Sequence, residues 1–228
     1  MDLKTKEWDN SYKNKDNFVF YPHEEVIRFV SKYVRKKTGT EEYKIIHNKN
    51  IALDLGCGIG RHVIYLDEMG LDAYGIDLSK EAIEYAKNWC KHMDREHLSK
   101  KLTIGSITEM PYDDNFFDFI VSHGVLDSMH FDIAKVAMKE VYRTLKQDGL
   151  FYFDLISGND YEHPREYAGE EIVTSDMEKD TVQSYFNWTK INQLIDGYFK
   201  IEDVVLIQRE SVIFTQKDSR YHIIARKI

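Results

Sequence analysis

The sequence predicts an α/β fold: a largely parallel β-sheet with helices packed on both faces. Three observations predict it. Apolar strand-like runs alternate with amphipathic helix-like runs between residues 51 and 155, the order that produces parallel strands joined by helical crossovers. The first run, Ile51-Ala52-Leu53, passes through the turn Gly56-Cys57-Gly58-Ile59-Gly60 into a helix-like run from Arg61 to Met69. Polar residues recur at the carboxyl ends of the runs, at Asp54, Asp77, Ser106, Ser122 and Asp154. Open α/β sheets hold their ligands at those ends.

The elements follow in order. Residues 1–21 are polar but carry Trp8, Tyr12, Phe18, Phe20 and Tyr21, and are expected to form an aromatic lid. After Pro22, Val26, Ile27, Phe29, Val30 and Val34 recur at helical spacing. Arg35-Lys36-Lys37 reads as the solvated end of that helix, and Gly39-Thr40 as its stop. Strand one is Ile51 to Asp54. His62, Tyr65, Leu66 and Met69 line one face of the next helix, with Gly70 as its C-terminal stop. Strand two runs from Ala73 to Asp77. Ser79 is an N-cap with Glu81 in the first turn, and Ala82, Ile83, Ala86, Trp89, Cys90 and Met93 make an apolar stripe. Strand three is Leu102 to Ile107; Pro111 marks a turn; strand four is Phe116 to Ser122. Ile133, Val136, Ala137, Val141 and Leu145 set out another amphipathic helix before strand five, Leu150 to Leu155. Residues 157–187 are charged and irregular, which reads as a cap insertion. A helix from Trp188 to Ile195, a strand near Ile201 to Arg209 and a last strand, Tyr221 to Ala225, complete the chain.

Composition sets bounds. With 228 residues, 43% hydrophobic and 13% aromatic, the chain supports one domain with a sizeable core. The formal charge is -8, and a nucleic-acid binder normally presents a basic face, so no nucleic-acid partner is expected. Cys57 and Cys90 cannot build a metal framework by themselves and read as buried free thiols in a reducing compartment; no metal site is expected. No run approaches the roughly 20 apolar residues of a membrane span, and Met1-Asp2-Leu3-Lys4 lacks a signal-peptide apolar region. A cytoplasmic protein without a membrane partner is the expectation. The oligomeric state stays open.

The glycines carry the chemistry. Alternate glycines let bare backbone approach a ligand, and Asp77, 21 residues after Gly56, stands where a carboxylate meets a ribose diol. Together they indicate an adenosine-containing cofactor. The dinucleotide pattern G-x-G-x-x-G does not fit, because its third glycine falls on Arg61 or Val63. Asp54-Leu55-Gly56-Cys57-Gly58-Ile59-Gly60 instead resembles the D-x-G-x-G-x-G motif of class I S-adenosylmethionine-dependent methyltransferases of the small-molecule type. Gly75-Ile76-Asp77-Leu78-Ser79, Leu102 to Ile107, Phe116 to Ser122 and Leu145-Lys146-Gln147-Asp148-Gly149 resemble that family's later motifs, in order.

The resemblance implies a Rossmann-like seven-stranded, mostly parallel sheet with an antiparallel hairpin at the last two strands, and S-adenosyl-L-methionine as cofactor. It places Gly56, Cys57, Gly58 and Gly60 along the methionine part, Asp54 near its ammonium end, Asp77 and Leu78 at the ribose, and Ser106 and Ile107 at the adenine. Ser122 stands at the end of strand four, and Tyr12 and Phe20 would close over the cofactor. Position 106 departs from the pattern, since many relatives carry Asp there. His123 is the candidate base or acceptor ligand, ahead of His130 and His163; Asp127 stands where many relatives have His. The implied function is methyl transfer to an oxygen, nitrogen or carboxylate of a small-molecule acceptor, sugar-like compounds included. A non-catalytic cofactor-binding subunit, a protein methyltransferase and an aminopropyl transferase, suggested by Glu162, Glu166, Glu170 and Glu171, stay open.

Overall fold

The computed structural model describes residues 3–175 and 178–228; the first two residues of the expected lid and two residues of the expected cap lie outside them. The chain starts with α1 (Leu3–Asn14) and α2 (Glu24–Phe29), which widens into a π-type turn over Val30–Val34. A small hairpin follows, β1 (Arg35–Lys37) and β2 (Tyr43–Ile45). Then come β3 (Ile51–Leu55), α3 (Arg61–Glu68), β4 (Asp72–Asp77), α4 (Lys80–His92), a 3-10 turn over Glu96–Lys101, β5 (Leu102–Ile104), β6 (Phe117–Ser122), α5 (Phe131–Thr144) and β7 (Leu145–Ile156). The insertion forms a hairpin of β8 (Glu170–Ile172) and β9 (Val182–Ser184), and α6 (Trp188–Ile195), β10 (Phe199–Glu210) and β11 (Lys217–Lys227) end the chain.

Seven strands form one sheet in the order β10-β11-β7-β6-β3-β4-β5. The pairs β3–β4, β3–β6, β4–β5 and β6–β7 are parallel, while β11 runs antiparallel to both β7 and β10. This is the expected α/β architecture with its terminal hairpin. The chain runs outward from β3 to β5 and then returns to β6, so the order reverses between β3 and β6 and a crevice opens beyond their carboxyl ends.

Alternation along the strands builds two cores. Leu53, Leu55, Ile120, Phe151 and Phe153 pack under α5 and α6, with Ala137, Met138, Ile191 and Leu194. Ala52, Ala73, Phe119, Val121 and Tyr152 face the opposite layer, where Phe29, Val63, Leu66, Ile83 and Ala86 from α2, α3 and α4 cover them. Because both faces are buried, the central strands read as continuous apolar runs. The sheet is thereby rigid where its strands end, and the loops that carry function start from fixed points.

Two expectations change. Arg35-Lys36-Lys37 is a strand, because the Ile46 and His47 N–H groups donate to the Val34 carbonyl at 3.1 and 3.2 Å and end the helix there. Thr38 N–H then donates to Glu42 O at 2.9 Å and turns the chain back. The third strand stops at Ile104, so Ser106 and Ile107 lie in the following turn.

Candidate active site

The turn after β3 is built from left-handed backbone, with φ +71° at Gly56 and +52° at Gly58. A Cβ on Gly56 would lie 2.4 Å from a Val125 methyl, and one on Gly58 would lie 2.5 Å from the Tyr12 hydroxyl oxygen. The amides of this turn are engaged internally. Gly56 and Cys57 N–H donate to Ile76 O at 2.9 and 3.0 Å, and Gly60 N–H donates to Cys57 O at 2.9 Å. Gly58 N–H donates to Asp77 Oδ2 at 2.8 Å. A phosphate-binding turn presents free N–H groups to its anion; these four are not free. The turn offers close approach to bare chain.

Two carboxylates flank it. Asp77 Oδ1 accepts from the Ser79 N–H at 2.9 Å, so each Asp77 oxygen holds one backbone donor and keeps capacity for another. Burial pushes this carboxyl up to about 6, against the opposing pull of the Ser79 and Gly58 N–H groups. Asp54 is 1% exposed, and neither of its oxygens has a hydrogen-bond partner. His62 is the nearest candidate. Its Nε2 accepts from His23 N–H at 3.2 Å, which leaves the proton of the neutral ring on Nδ1. Nδ1 stands 3.5 Å from Asp54 Oδ1, without hydrogen-bond geometry. An unpaired buried carboxylate is costly, so the pocket lacks a donor, and a cation would serve best.

A cleft of about 710 Å³ extends from the turn. Of the sequence-based site residues, Gly56, Cys57, Gly58, Asp77, Leu78, Ser106, Ile107, Tyr12 and His123 line it. Gly60 caps α3 from behind the turn, and Asp54 and Ser122, each 1% exposed, lie beneath the lining. Ser106 Oγ accepts from Thr108 N–H at 3.2 Å and stiffens its own turn. The Cys57 thiol is pushed well up by burial, which makes it unreactive. Phe20 is outside the lining. It packs edge-on against Trp89 on α4, with ring centroids 5.0 Å apart, because its neighbour Phe18 anchors the segment on Tyr85 at 4.5 Å. The lining from α1 is Thr5, Trp8 and Tyr12, and Asp9 fastens that helix by accepting from Ser79 Oγ at 2.6 Å.

The far half of the cleft holds residues with no sequence signal. Arg220, on β11, donates through Nε to Asp154 Oδ2 at 2.7 Å and through Nη2 to Asp127 Oδ2. Burial alone would raise the Asp154 carboxyl, but Arg220, His123 and the Gly124 N–H together hold it below the usual range. His123 Nδ1 lies 3.4 Å from Arg61 Nη2, and burial pushes this imidazole down to about 2. His23 packs on it at 3.9 Å between ring centroids and is lowered to about 4, again by burial. Both rings are therefore neutral at pH 7. His130 and His163 instead pair with Glu170 and with Asp160 and Glu171 outside the cleft. Of seven buried side-chain polar atoms without a partner among the described residues, five belong to Asp54, Ser122, His123 and Asp127. Arg61, His23 and Arg220 escaped the sequence reading: the first two sit beside motifs without belonging to them, and Arg220 is 66 residues from its partner Asp154.

Residues 53–153 match a methyltransferase domain family. An uncharacterized methyltransferase of Bacillus subtilis is 30% identical over 99 residues, covering 43% of this chain and 38% of the relative. A demethylmenaquinone methyltransferase of Staphylococcus haemolyticus is 28% identical over 146 residues, covering 62% and 54%. The chain spans about half or less of the length of the curated relatives it matches. Among solved structures, a SAM-dependent methyltransferase from Methanosarcina mazei superposes with a TM-score of 0.66 at 22% identity, covering 80% of this chain and 94% of that one. Motif order, sheet topology and these matches agree: residues 53–153 are similar to a methyltransferase domain, and the fold is the one seen in that S-adenosylmethionine-dependent methyltransferase.

Proposed function

We propose that this protein transfers a methyl group from S-adenosylmethionine to a small-molecule acceptor. The observation that carries the reading is Asp54: a buried carboxylate with two unpaired oxygens, beside a glycine turn whose amides are engaged. That pairing suits an ammonium-bearing nucleoside without phosphates. Asp77 would accept from the ribose hydroxyls, and Leu78, Ser106 and Ile107 would border the adenine. When bound, S-adenosylmethionine supplies an electrophilic methyl on a positively charged sulfur. The chain's task is then to position the acceptor and exclude water. Trp8 and Tyr12 on α1 serve as the lid, and Val173, Thr181, Val182 and Gln183 of the 157–187 cap close the far side of the lining. The acceptor named for the staphylococcal relative, demethylmenaquinone, is a small molecule. Glu162, Glu166, Glu170 and Glu171 are absent from the cleft lining, whereas Glu178 of the cap and Asp127 belong to it, so aminopropyl transfer remains the minor alternative.

Calorimetry with S-adenosylhomocysteine tests the cradle. A saturable heat is expected, weakened about five- to tenfold in Asp54→Asn, the loss of roughly 1 kcal/mol. No binding to the parent protein would overturn the reading. Binding without transfer of labelled methyl to any acceptor would favour a non-catalytic subunit, and transfer to polypeptide alone a protein methyltransferase. Affinity is also expected to depend on pH through Asp77. Hydroxyl donors pair with its carboxylate, so affinity should fall as pH drops through about 6 and level off above it; a flat profile would remove Asp77 from the ribose.

His123 acts in this reading as a neutral ring that orients the acceptor. Its substitution by asparagine is expected to lower turnover by less than the roughly 10²- to 10⁴-fold typical of losing a general base, with unchanged affinity for S-adenosylhomocysteine. Lost affinity would move it into the cradle. No helix among the described residues is long and apolar enough to cross a membrane, and the two buried free thiols suit a reducing cytoplasm.

A further inference from the structure

The acceptor half of the cleft has a chemical preference of its own. Asp127 is 3% exposed and lines the cleft. Its Oδ2 accepts from Ile156 N–H at 2.8 Å and from Arg220 Nη2, whereas its Oδ1 has no partner. The neighbouring donors are aimed elsewhere. Arg220 Nε is directed to Asp154. An arginine nitrogen only donates, so His123 Nδ1 accepts from Arg61 and the ring proton sits on Nε2, 3.5 Å from Asp154 Oδ2.

Asp127 and Asp154 share one guanidinium, and the adjoining His123 and His23 rings are neutral. Arg61, which lines the cleft and bonds His123, brings a second guanidinium beside them, and Glu178 a further carboxylate, so what sets Asp127 apart is its unpaired oxygen rather than a net charge. An incoming carboxylate would meet an unpaired carboxylate oxygen. An ammonium would supply the missing donor. Around it, Val125, Met129, Ile133, Val173 and Val182 form apolar walls suited to a hydrocarbon body. Burial raises the Asp127 carboxyl against the pull of Arg220, which makes it a better holder of a proton.

We propose that the acceptor is an amine on an apolar body, seated with an N–H on Asp127 Oδ1, and that this oxygen takes the proton the amine must lose. In that step the ammonium N–H bond breaks, its electron pair stays on nitrogen as the lone pair, and the proton forms an O–H bond at Oδ1, later passing to water. The proposal rests on the methyl-transfer reading and narrows its acceptor.

The test uses the full chain saturated with S-adenosylhomocysteine, and ligand-observed NMR titration of benzylamine, benzyl alcohol and benzoate. Benzylamine is expected to bind at least tenfold more tightly than the other two. Asp127→Asn, which keeps the volume and an acceptor for Ile156 and Arg220, should lose most of that preference, and Asp127→Glu should restore part of it. Calorimetry on each variant reports the cofactor site separately. If S-adenosylhomocysteine binds but benzoate matches benzylamine, or benzylamine does not bind, or its affinity is the same in Asp127→Asn, the amine proposal is overturned alone. If S-adenosylhomocysteine does not bind the parent, the methyl-transfer reading falls and takes this one with it.

Discussion

Gly56→Ala is expected to destabilise the fold by about 2–4 kcal/mol, from left-handed strain together with overpacking. Its φ of +71° is one that an alanine rarely adopts. The new methyl would also lie 2.4 Å from Val125 Cγ2, in the loop that follows β6. Val125 cannot retreat freely, because the loop is held by Gly124 N–H donating to Asp154 Oδ1 at 2.7 Å and by Ser128 Oγ donating to Gly124 O at 3.0 Å. For a chain of this size the midpoint of thermal unfolding should drop by roughly 5–15 °C. A melting curve within 2 °C of the parent (the effect of about 0.5–1 kcal/mol) would mean that the turn relaxes at little cost. Activity should fall further than stability, since the turn also lines the cleft proposed to hold the cofactor.

Asp77→Ala is expected to weaken S-adenosylhomocysteine binding by about 1–3 kcal/mol, roughly fivefold to more than a hundredfold. The substitution does two things. It leaves two ribose hydroxyls without their acceptor, and it releases the Gly58 and Ser79 N–H groups that Asp77 holds at 2.8 and 2.9 Å. Asp77→Asn separates the two. Its carbonyl oxygen can still accept from one backbone N–H, so the turn should survive while the pH dependence of binding disappears. Equal affinity in Asp77→Ala and the parent, measured by calorimetry at pH 8, would sink the ribose role.

The central sheet was legible because local and global preferences coincide there. Ile51 to Asp77 spells strand, bare turn, amphipathic helix and strand with no competing signal, and the glycines admit little else. The turn was legible for the same reason: Gly56, Gly58 and Asp77 lie within one βαβ unit. What escaped was non-local. Arg220 reaches Asp127 and Asp154 only because β11 runs antiparallel beside β7, with Arg220 opposite Ile156, a pairing that no spacing in the sequence encodes. Phe20 misled because an aromatic ring fits a lid and a surface clasp equally well; packing on Trp89 decided it. The strand at Arg35–Lys37 misled because a basic run after a helical stripe looks like a helix end until its hydrogen bonds are traced.

The Ser79 hydroxyl has two partners, and they would shape how a used nucleoside departs. Its Oγ accepts from Ala82 N–H at 3.2 Å, closing the first turn of α4, and donates to Asp9 on α1. If α1 acts as the proposed door, its opening would break the Asp9 contacts to Ser79 Oγ and Glu81 N–H and leave the Ala82–Ser79 bond in the first turn of α4 in place. The doorframe thus survives each opening, and only the latch must re-form. Exit and re-entry can then proceed on the microsecond-to-millisecond scale of loop and lid motions, so a tighter latch would slow the cycle and a looser one would admit water.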